Sequence, residues 1–502
     1  MTEDLSRRTL FGLAGATAAG AAGLAASGCN AGSDGQPAPR AGDVSRGYVS
    51  RPDLTPPAVT VTRHGAGADS RYFFVAAPYS APGHGGALIL DSRGEVVWFG
   101  PSTPAQHKLE LNTQTYRGQP VLTWFQGLVV QGYGQGELVI ADPSYRTIQT
   151  IHAADGVMAD FHEFVITPQG TALVTAYRKH AGADLSGVSG PSSGVLLSGV
   201  AQEIDIATGR LLFEWDSINH VRVSETYQQR QRHGDGGDGT ASRPFNYFHI
   251  NSLALDTDGD LLISSRNTWA VYKVRRDRAG TVVWRMNGKK SDFTMGPGAR
   301  FFWQHDVRPH GDGVLTVFDN GALPAEEKQS RALILGVDTK AMHVTLRKAY
   351  VHPGRRMVAG AMGNAQLLAD GRMFVGWGTE PFFSEFAPDG RLLLDGSLGR
   401  GAPSYRAFTD HWAGRPAEPP AAAARHRAGG ATVYASWNGA TDVGSWTFFA
   451  GKTASSMAGI GSARRTGFET AIDVHSTGPY FAAQARDAAG QPLSRSAPVR
   501  IA

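Results

Sequence analysis

The chain has 502 residues, 41% of them hydrophobic and 18% charged, with 63 glycines and 27 prolines. This is too long for one ordinary core, so two or three folded units are expected, and the Gly and Pro content favours turns over long helices. The formal net charge is only +4, and no stripe of basic residues interleaves with aromatics, which argues against nucleic-acid binding.

The first residues read as a targeting segment. Ser6-Arg7-Arg8-Thr9-Leu10-Phe11 has the pattern of a twin-arginine export signal, and a weakly apolar Gly/Ala stretch follows it to Ser27. That stretch falls short of the ~20 strongly apolar residues a spanning helix needs. Ala26-Ser27-Gly28-Cys29 is similar to a bacterial lipobox, with Ala26 where Leu is usual. Cys29 is the single cysteine, so no intrachain disulfide can form, and its position makes it the expected lipidation site. Residues 1–28 are expected to be signal, and residues 29–55 a Gly/Ser/Pro/Ala-rich flexible tether. The protein is then extracytoplasmic and held to the outer face of the cell membrane only through lipid at Cys29. The alternative is a soluble exported protein cut nearby.

From Tyr72 onward one pattern recurs. Glu163-Phe164-Val165-Ile166 leads over Gln169-Gly170 to Ala172-Leu173-Val174-Thr175. Asn251-Ser252-Leu253-Ala254-Leu255 leads over Asp258-Gly259 to Leu261-Leu262-Ile263-Ser264. Asp306-Val307 leads over Asp312-Gly313 to Val314-Leu315-Thr316-Val317-Phe318. Outer pairs such as Val271-Tyr272-Lys273-Val274 and Val282-Val283-Trp284 repeat as well. Hairpins recurring every roughly 40 to 60 residues predict a propeller, because a single four-stranded sheet cannot bury both faces alone. Six units fit between Tyr72 and Trp412, so residues 56–412 are expected to form a six-bladed β-propeller. A pair of β-sandwiches would not explain one hairpin type recurring along this length.

Two stretches, Thr175 to Ala201 and Asn219 to Asn246, read as long irregular insertions that line or cover a site. Residues 413–428, rich in Pro and Ala, read as a linker. Residues 429–502 alternate around Trp437, Trp446 and Tyr480. They predict a small β-sandwich similar to a fibronectin type III or immunoglobulin-like module, with a binding or spacing role. The whole is all-β.

Aligning the hairpins brings His107, His162, His249 and His305 to the start of the first strand of their units, with Asn364 in that place in the last. Innermost strands line a propeller's channel, so these positions predict a ring of imidazoles at one mouth. Arg266 ends the strand paired to the one that His249 begins. A lone histidine there would be structural; four in register beside an arginine point to chemistry. The ring admits three readings. It can hold a metal as part of a hydrolase, or bind an anionic or aromatic ligand without reacting. In the third, one imidazole attacks sulfur or phosphorus, Arg266 neutralises the moving oxygens, and a second histidine protonates the departing phenoxide.

Phe161-His162-Glu163, Phe248-His249-Ile250-Asn251-Ser252, Ser264-Ser265-Arg266, Trp303-Gln304-His305-Asp306 and Val317-Phe318-Asp319-Asn320 together resemble the bacterial arylsulfate sulfotransferases. The similarity is greatest to their actinobacterial and fungal branch, and runs from about Thr60 to Arg400. It implies a six-bladed propeller that moves sulfate between phenols by a ping-pong route through a sulfohistidine, with no cofactor and no metal. Donor and acceptor are then a small phenolic sulfate and a phenol. The resemblance implies His305 as nucleophile. It implies Arg266 and His249 as the groups that hold sulfate oxygens and assist the phenol oxygen, and His162 as a further catalytic histidine. Trp303 and Phe248 are candidates to flank the aryl ring, and Asn251 is a further candidate for substrate binding. Periplasmic members of the better-known branch carry a disulfide and an N-terminal sandwich; this chain has one cysteine, and its sandwich is expected at the other end. An exported enzyme meets no nucleotide sulfate donor, so an aryl sulfate ester suits its compartment.

Overall fold

The computed structural model describes residues 45–501 except 65–70, 79, 82, 233–234 and 400. The export signal, the lipobox and Cys29 lie outside the described residues. Among those described there is no α-helix, only strands and three short 3-10 turns, and no helix long and apolar enough to cross a membrane. The fold is all-β, built of antiparallel sheets in a propeller-like succession.

The strands Ile250–Leu255, Leu261–Ser265, Ala270–Val274 and Val282–Asn287 form one four-stranded meander. Those from His305–Pro309 through His343–Tyr350 form the next, and those from Asn364–Leu367 through Leu392–Ser397 a third. Upstream, a nine-stranded sheet consists of two meanders, starting at His107–Tyr116 and Ala159–Ile166, joined by the single bridge Gly136↔Ala159. The remaining sheet is closed by sequence ends. Ala407–Asp410 pairs with Tyr72–Ala77, which begins a run to Gly86–Leu90 and Val96–Pro101. Apolar faces of neighbouring sheets pack together; one cluster joins Leu262, Val271 and Trp284 to Val307, Val317 and Leu333.

Amide side chains tie one inner strand to the next. Asn251 Nδ2 donates to Gln304 O at 2.6 Å, and Gln304 Nε2 donates to Ser265 O at 2.9 Å. Asn364 both donates to Ala407 O and accepts from Ala407 N. Each clamp satisfies buried backbone groups that an inner-strand end leaves open.

Three expectations change. The first long insertion is mostly regular: Thr171–Ala183 and Gly194–Asp205 pair along their length. The second stays irregular, with 3-10 turns at Ser217–Asn219 and Val223–Glu225. Part of the expected linker is the strand Ala421–Arg427, paired to Gly430–Ser436. The end of the expected tether is packed rather than free. Tyr48 stacks on Phe468 at 4.2 Å, and Ser50 N donates to buried Glu469 Oε1 at 2.6 Å. The two C-terminal sheets share a core that includes Val433, Trp446, Phe448 and Phe481. This unit meets the first sheet through Asn438, which exchanges hydrogen bonds with the Phe99 backbone.

Candidate active site

The inner strands deliver three imidazoles to one place. The rings of His162 and His249 lie 4.9 Å apart, edge to face. Tyr405 stands between blades, 5.3 Å from the His162 ring and 6.4 Å from that of His305. All three histidines are at least 95% buried, His305 being 1% exposed. His249 has φ +54°, and Asp306, next to His305, has φ +53°. Non-glycine residues rarely adopt this left-handed geometry, and it costs about 1–3 kcal/mol each, so surrounding bonds must hold it.

Each ring has a different partner at Nδ1, and the partner decides what the other nitrogen can do. His305 Nδ1 lies 2.7 Å from Asn320 Oδ1. Asn320 Nδ2 is committed to the carbonyls of Ala359 and Met362, at 3.0 Å each. The oxygen therefore faces the ring, Nδ1 carries the proton, and Nε2 keeps a lone pair. His249 is the reverse: Asn246 Nδ2 approaches its Nδ1 at 2.9 Å, while Asn246 Oδ1 accepts from His249 N at 3.0 Å. Nδ1 of His249 accepts, so its single proton sits on Nε2. His162 Nδ1 lies 2.6 Å from Asp160 Oδ2, and Asp160 also accepts from Gly134 N and Thr175 Oγ1. The carboxylate accepts from Nδ1, so Nε2 is the nitrogen of His162 left to face the site.

Burial holds His305 well below the ordinary histidine range, with the Arg266 guanidinium adding to the effect. His249 is pushed down in the same way, by burial first and then by His162 and Arg266. Both rings are neutral at physiological pH.

Arg266 supplies the charge. Its Nη1 donates to Asn267 Oδ1 and its Nη2 to Gly360 O, at 3.0 Å each, and buried Nε has no partner. Among the described residues no carboxylate forms an ion pair with it. The guanidinium stacks 4.8 Å from the Trp303 ring centroid. A half-buried cation without a counter-ion, beside hydrogen-bond donors, suits a tetrahedral oxyanion.

The acidic residues next to the histidines serve another layer. Fully buried Arg406 pairs with Glu110 at 2.5 Å and Glu163 at 3.2 Å, and lies 3.5 Å from Asp306. Arg308 bridges Glu163 and Asp306 at 2.7 Å each. Glu163 and Asp306 therefore face these guanidinium groups, not the imidazoles. Among the described residues no group of three or more His, Cys, Asp or Glu is arranged to hold a metal ion.

The structure brings His162, His249, Arg266 and His305 together. His107 is out of register with them by two residues: Leu109 pairs with Phe125 as His305 pairs with Phe318, and Glu110 matches Asp306 in its left-handed φ. Phe248 is fully buried against Trp215, Tyr247 and Tyr272, with no face free for an aryl substrate. Asn251 Nδ2 is spent on Gln304 O, so this residue clamps strands. Trp303, 2% exposed, faces Arg266 and donates from Nε1 to Pro324 O. Sequence reading assigned no role to Asn246, Asn320, Tyr405, Arg406 or Asp160. A signal existed for Asp160, since residues two apart on a strand share a face.

A sequence model of the arylsulfotransferase (ASST) family matches residues 112–399. No curated protein matches significantly. Among solved structures, a protein of unknown function from Bacteroides caccae is 11% identical, covers 68% of this chain and 99% of its own, and gives a TM-score of 0.40. Virginiamycin B lyase from Staphylococcus aureus is 8% identical, with 67% and 87% covered and a TM-score of 0.33. A protein from Lactobacillus plantarum is 13% identical, with 81% and 100% covered and a TM-score of 0.34. Likeness this distant says nothing of what the chain acts on.

Proposed function

We propose that this chain, which belongs to the arylsulfotransferase (ASST) family, moves a sulfuryl group from a phenolic sulfate ester to a phenolic acceptor through a sulfohistidine at His305. No nucleotide sulfate donor takes part. The observation that carries this reading is the His305 tautomer. Asn320 holds the proton on Nδ1, burial keeps the ring neutral, and Nε2 presents a lone pair within a site whose cation lacks a counter-ion.

In the first half-reaction the Nε2 pair forms an N–S bond and the aryl S–O pair leaves with the phenolate. Arg266 takes the charge of the sulfuryl oxygens. The proton for the phenolate comes from His162, whose ring Asp160 orients through Nδ1. His249 has a single proton, and its Nδ1 accepts from Asn246 Nδ2; giving that proton up would leave an imidazolate. It therefore donates a hydrogen bond to an oxygen without transferring the proton. The second half-reaction reverses these steps with a new phenol, His162 taking its proton.

The sheets are read as six blades, counting the halves of the nine-stranded sheet separately, followed by a C-terminal sandwich whose first strand is Ala421–Arg427. The branch is read as the actinobacterial and fungal one. Export by the twin-arginine route, with lipid on Cys29, is the proposed location, since a phenolic sulfate donor frees the enzyme from cytoplasmic nucleotides. Initial rates with donor and acceptor both varied test the chemistry: parallel double-reciprocal lines are expected, and intersecting lines would show direct transfer in a ternary complex.

A further inference from the structure

We propose that the backbone N–H of Met362 belongs to the sulfuryl site, donating to Nε2 of His305 before transfer and to a sulfuryl oxygen after it. The inference rests on the sulfation of His305 proposed above.

Met362 N lies 3.2 Å from His305 Nε2. Met362 has φ +68° and Gly363 φ +100°, a left-handed pair that turns the intervening amides inward. The turn is held from several sides. Asn320 Nδ2 donates to Ala359 O and Met362 O, Gly360 N donates to Thr379 Oγ1 at 3.0 Å, Thr379 N donates to Ala361 O at 3.2 Å, and Gly363 N donates to Tyr405 O at 2.8 Å. The same turn gives Gly360 O to Arg266 Nη2. One short segment thus touches both the nucleophile and the cation.

Nε2 has one lone pair. It cannot accept from Met362 and attack sulfur together. As the N–S bond forms, the Met362 N–H loses its acceptor, and the new oxygens lie on the atom bonded to Nε2, within reach of the same donor. The proton stays on the amide and only its acceptor changes. A held donor whose better acceptor arises during the reaction stabilises the transition state more than the ground state. Asn320 is then a positioning residue twice over, for the tautomer of His305 and for this turn.

The test uses the protein labelled with 15N-methionine. It has nine methionines, and the Met362 amide signal is assigned by its loss in Met362→Leu. An aryl sulfate is added without acceptor, and adduct formation is followed by intact mass. A downfield shift of the Met362 amide proton that tracks the adduct is expected. Thr379→Val frees one end of the turn and is expected to slow adduct formation at least tenfold while phenol affinity is unchanged. An adduct that forms while the Met362 signal stays in place overturns the inference. Absence of any adduct overturns the reading on which it rests, and this one with it.

Discussion

Asn320 Oδ1 receives the Nδ1 proton of His305 at 2.7 Å, and the amide cannot flip because its nitrogen is bound to two carbonyls. An amide fixes the tautomer without adding charge, so burial and Arg266 are free to keep the ring neutral. Asn320→Asp is expected to raise the basicity of His305. A ring with its pKa held well below 6.5 is an active nucleophile from mildly acid pH upward. A raised pKa protonates it at low pH, so the acid limb of kcat/KM moves about 1–2 pH units toward higher pH. A pH–rate profile of the variant measures the shift; an unmoved limb would mean the amide does not set the protonation of His305.

Arg266 is a planar fork, held by Asn267 Oδ1 and Gly360 O and stacked on Trp303. Lysine keeps the charge and loses the fork. Arg266→Lys is expected to lower kcat roughly 10²-fold or more, in line with the loss of one aligned oxyanion donor. Steady-state kinetics decide it: a change confined to KM would make Arg266 a ground-state binder only.

His162 and His249 separate by leaving group. Asp160 supports a proton on His162, whereas Asn246 leaves His249 a hydrogen-bond donor. With donors built on phenols of increasing pKa, His162→Gln is expected to lose at least tenfold more rate on the poorest leaving group than on the best, following general-acid behaviour. His249→Gln is expected to lose the same factor on all. Equal slopes of log rate against leaving-group pKa in the two variants would refute the division of labour.

The ionic layer beneath the imidazoles sets stability. Glu110, Glu163 and Asp306 face two guanidinium groups, those of Arg308 and Arg406, and Glu110 Oε2 has no partner. Burial pushes Glu110 up to about 8 against the pull of Arg406. Its folded pKa exceeds its unfolded value of about 4.5, so the folded state binds the extra proton, and stability falls as pH rises from about 5 to about 8. Glu110→Gln is expected to flatten that slope, which is at most about 1.4 kcal/mol per pH unit. Arg406→Met would leave buried carboxylates short of a counter-charge, costing about 3–5 kcal/mol. Denaturant melts of both variants across pH give both numbers.

The repeating hairpins were plain in the sequence because period-2 alternation and a Gly turn are local features. His162, His249 and His305 stood out for the same reason: each lies within, just before or at the start of the first strand of its hairpin. The residues that tell the three rings apart were not plain. Asn320 lies just past the end of the strand Val314–Asp319, and Asn246 belongs to the two-residue strand Phe245–Asn246, too short to show a period. Tyr405 and Arg406 come from a segment some hundred residues downstream of His305 with no periodicity to mark it. His107 looked equivalent because spacing was counted along the chain. The strands of Leu109 and His305 bulge alike after those residues, and only strand pairing shows that Leu109, not His107, holds the position. Phe248 adjoins a functional histidine, but alternation along a strand turns neighbours to opposite faces; Asn251 is two residues from His249, and the register shift between Ile250 and Ser252 interrupts that alternation. Adjacency in sequence does not show where the charges point: Glu163 and Asp306 lie beside the histidines in sequence and turn toward Arg406 and Arg308 in space.

The central claim is a covalent sulfohistidine at His305, and intact-protein mass after mixing with an aryl sulfate and no acceptor tests it most directly. The account predicts a gain of one sulfuryl group that is lost on adding a phenol and absent in His305→Ala. Turnover without any adduct, or an adduct that persists in His305→Ala, would contradict it.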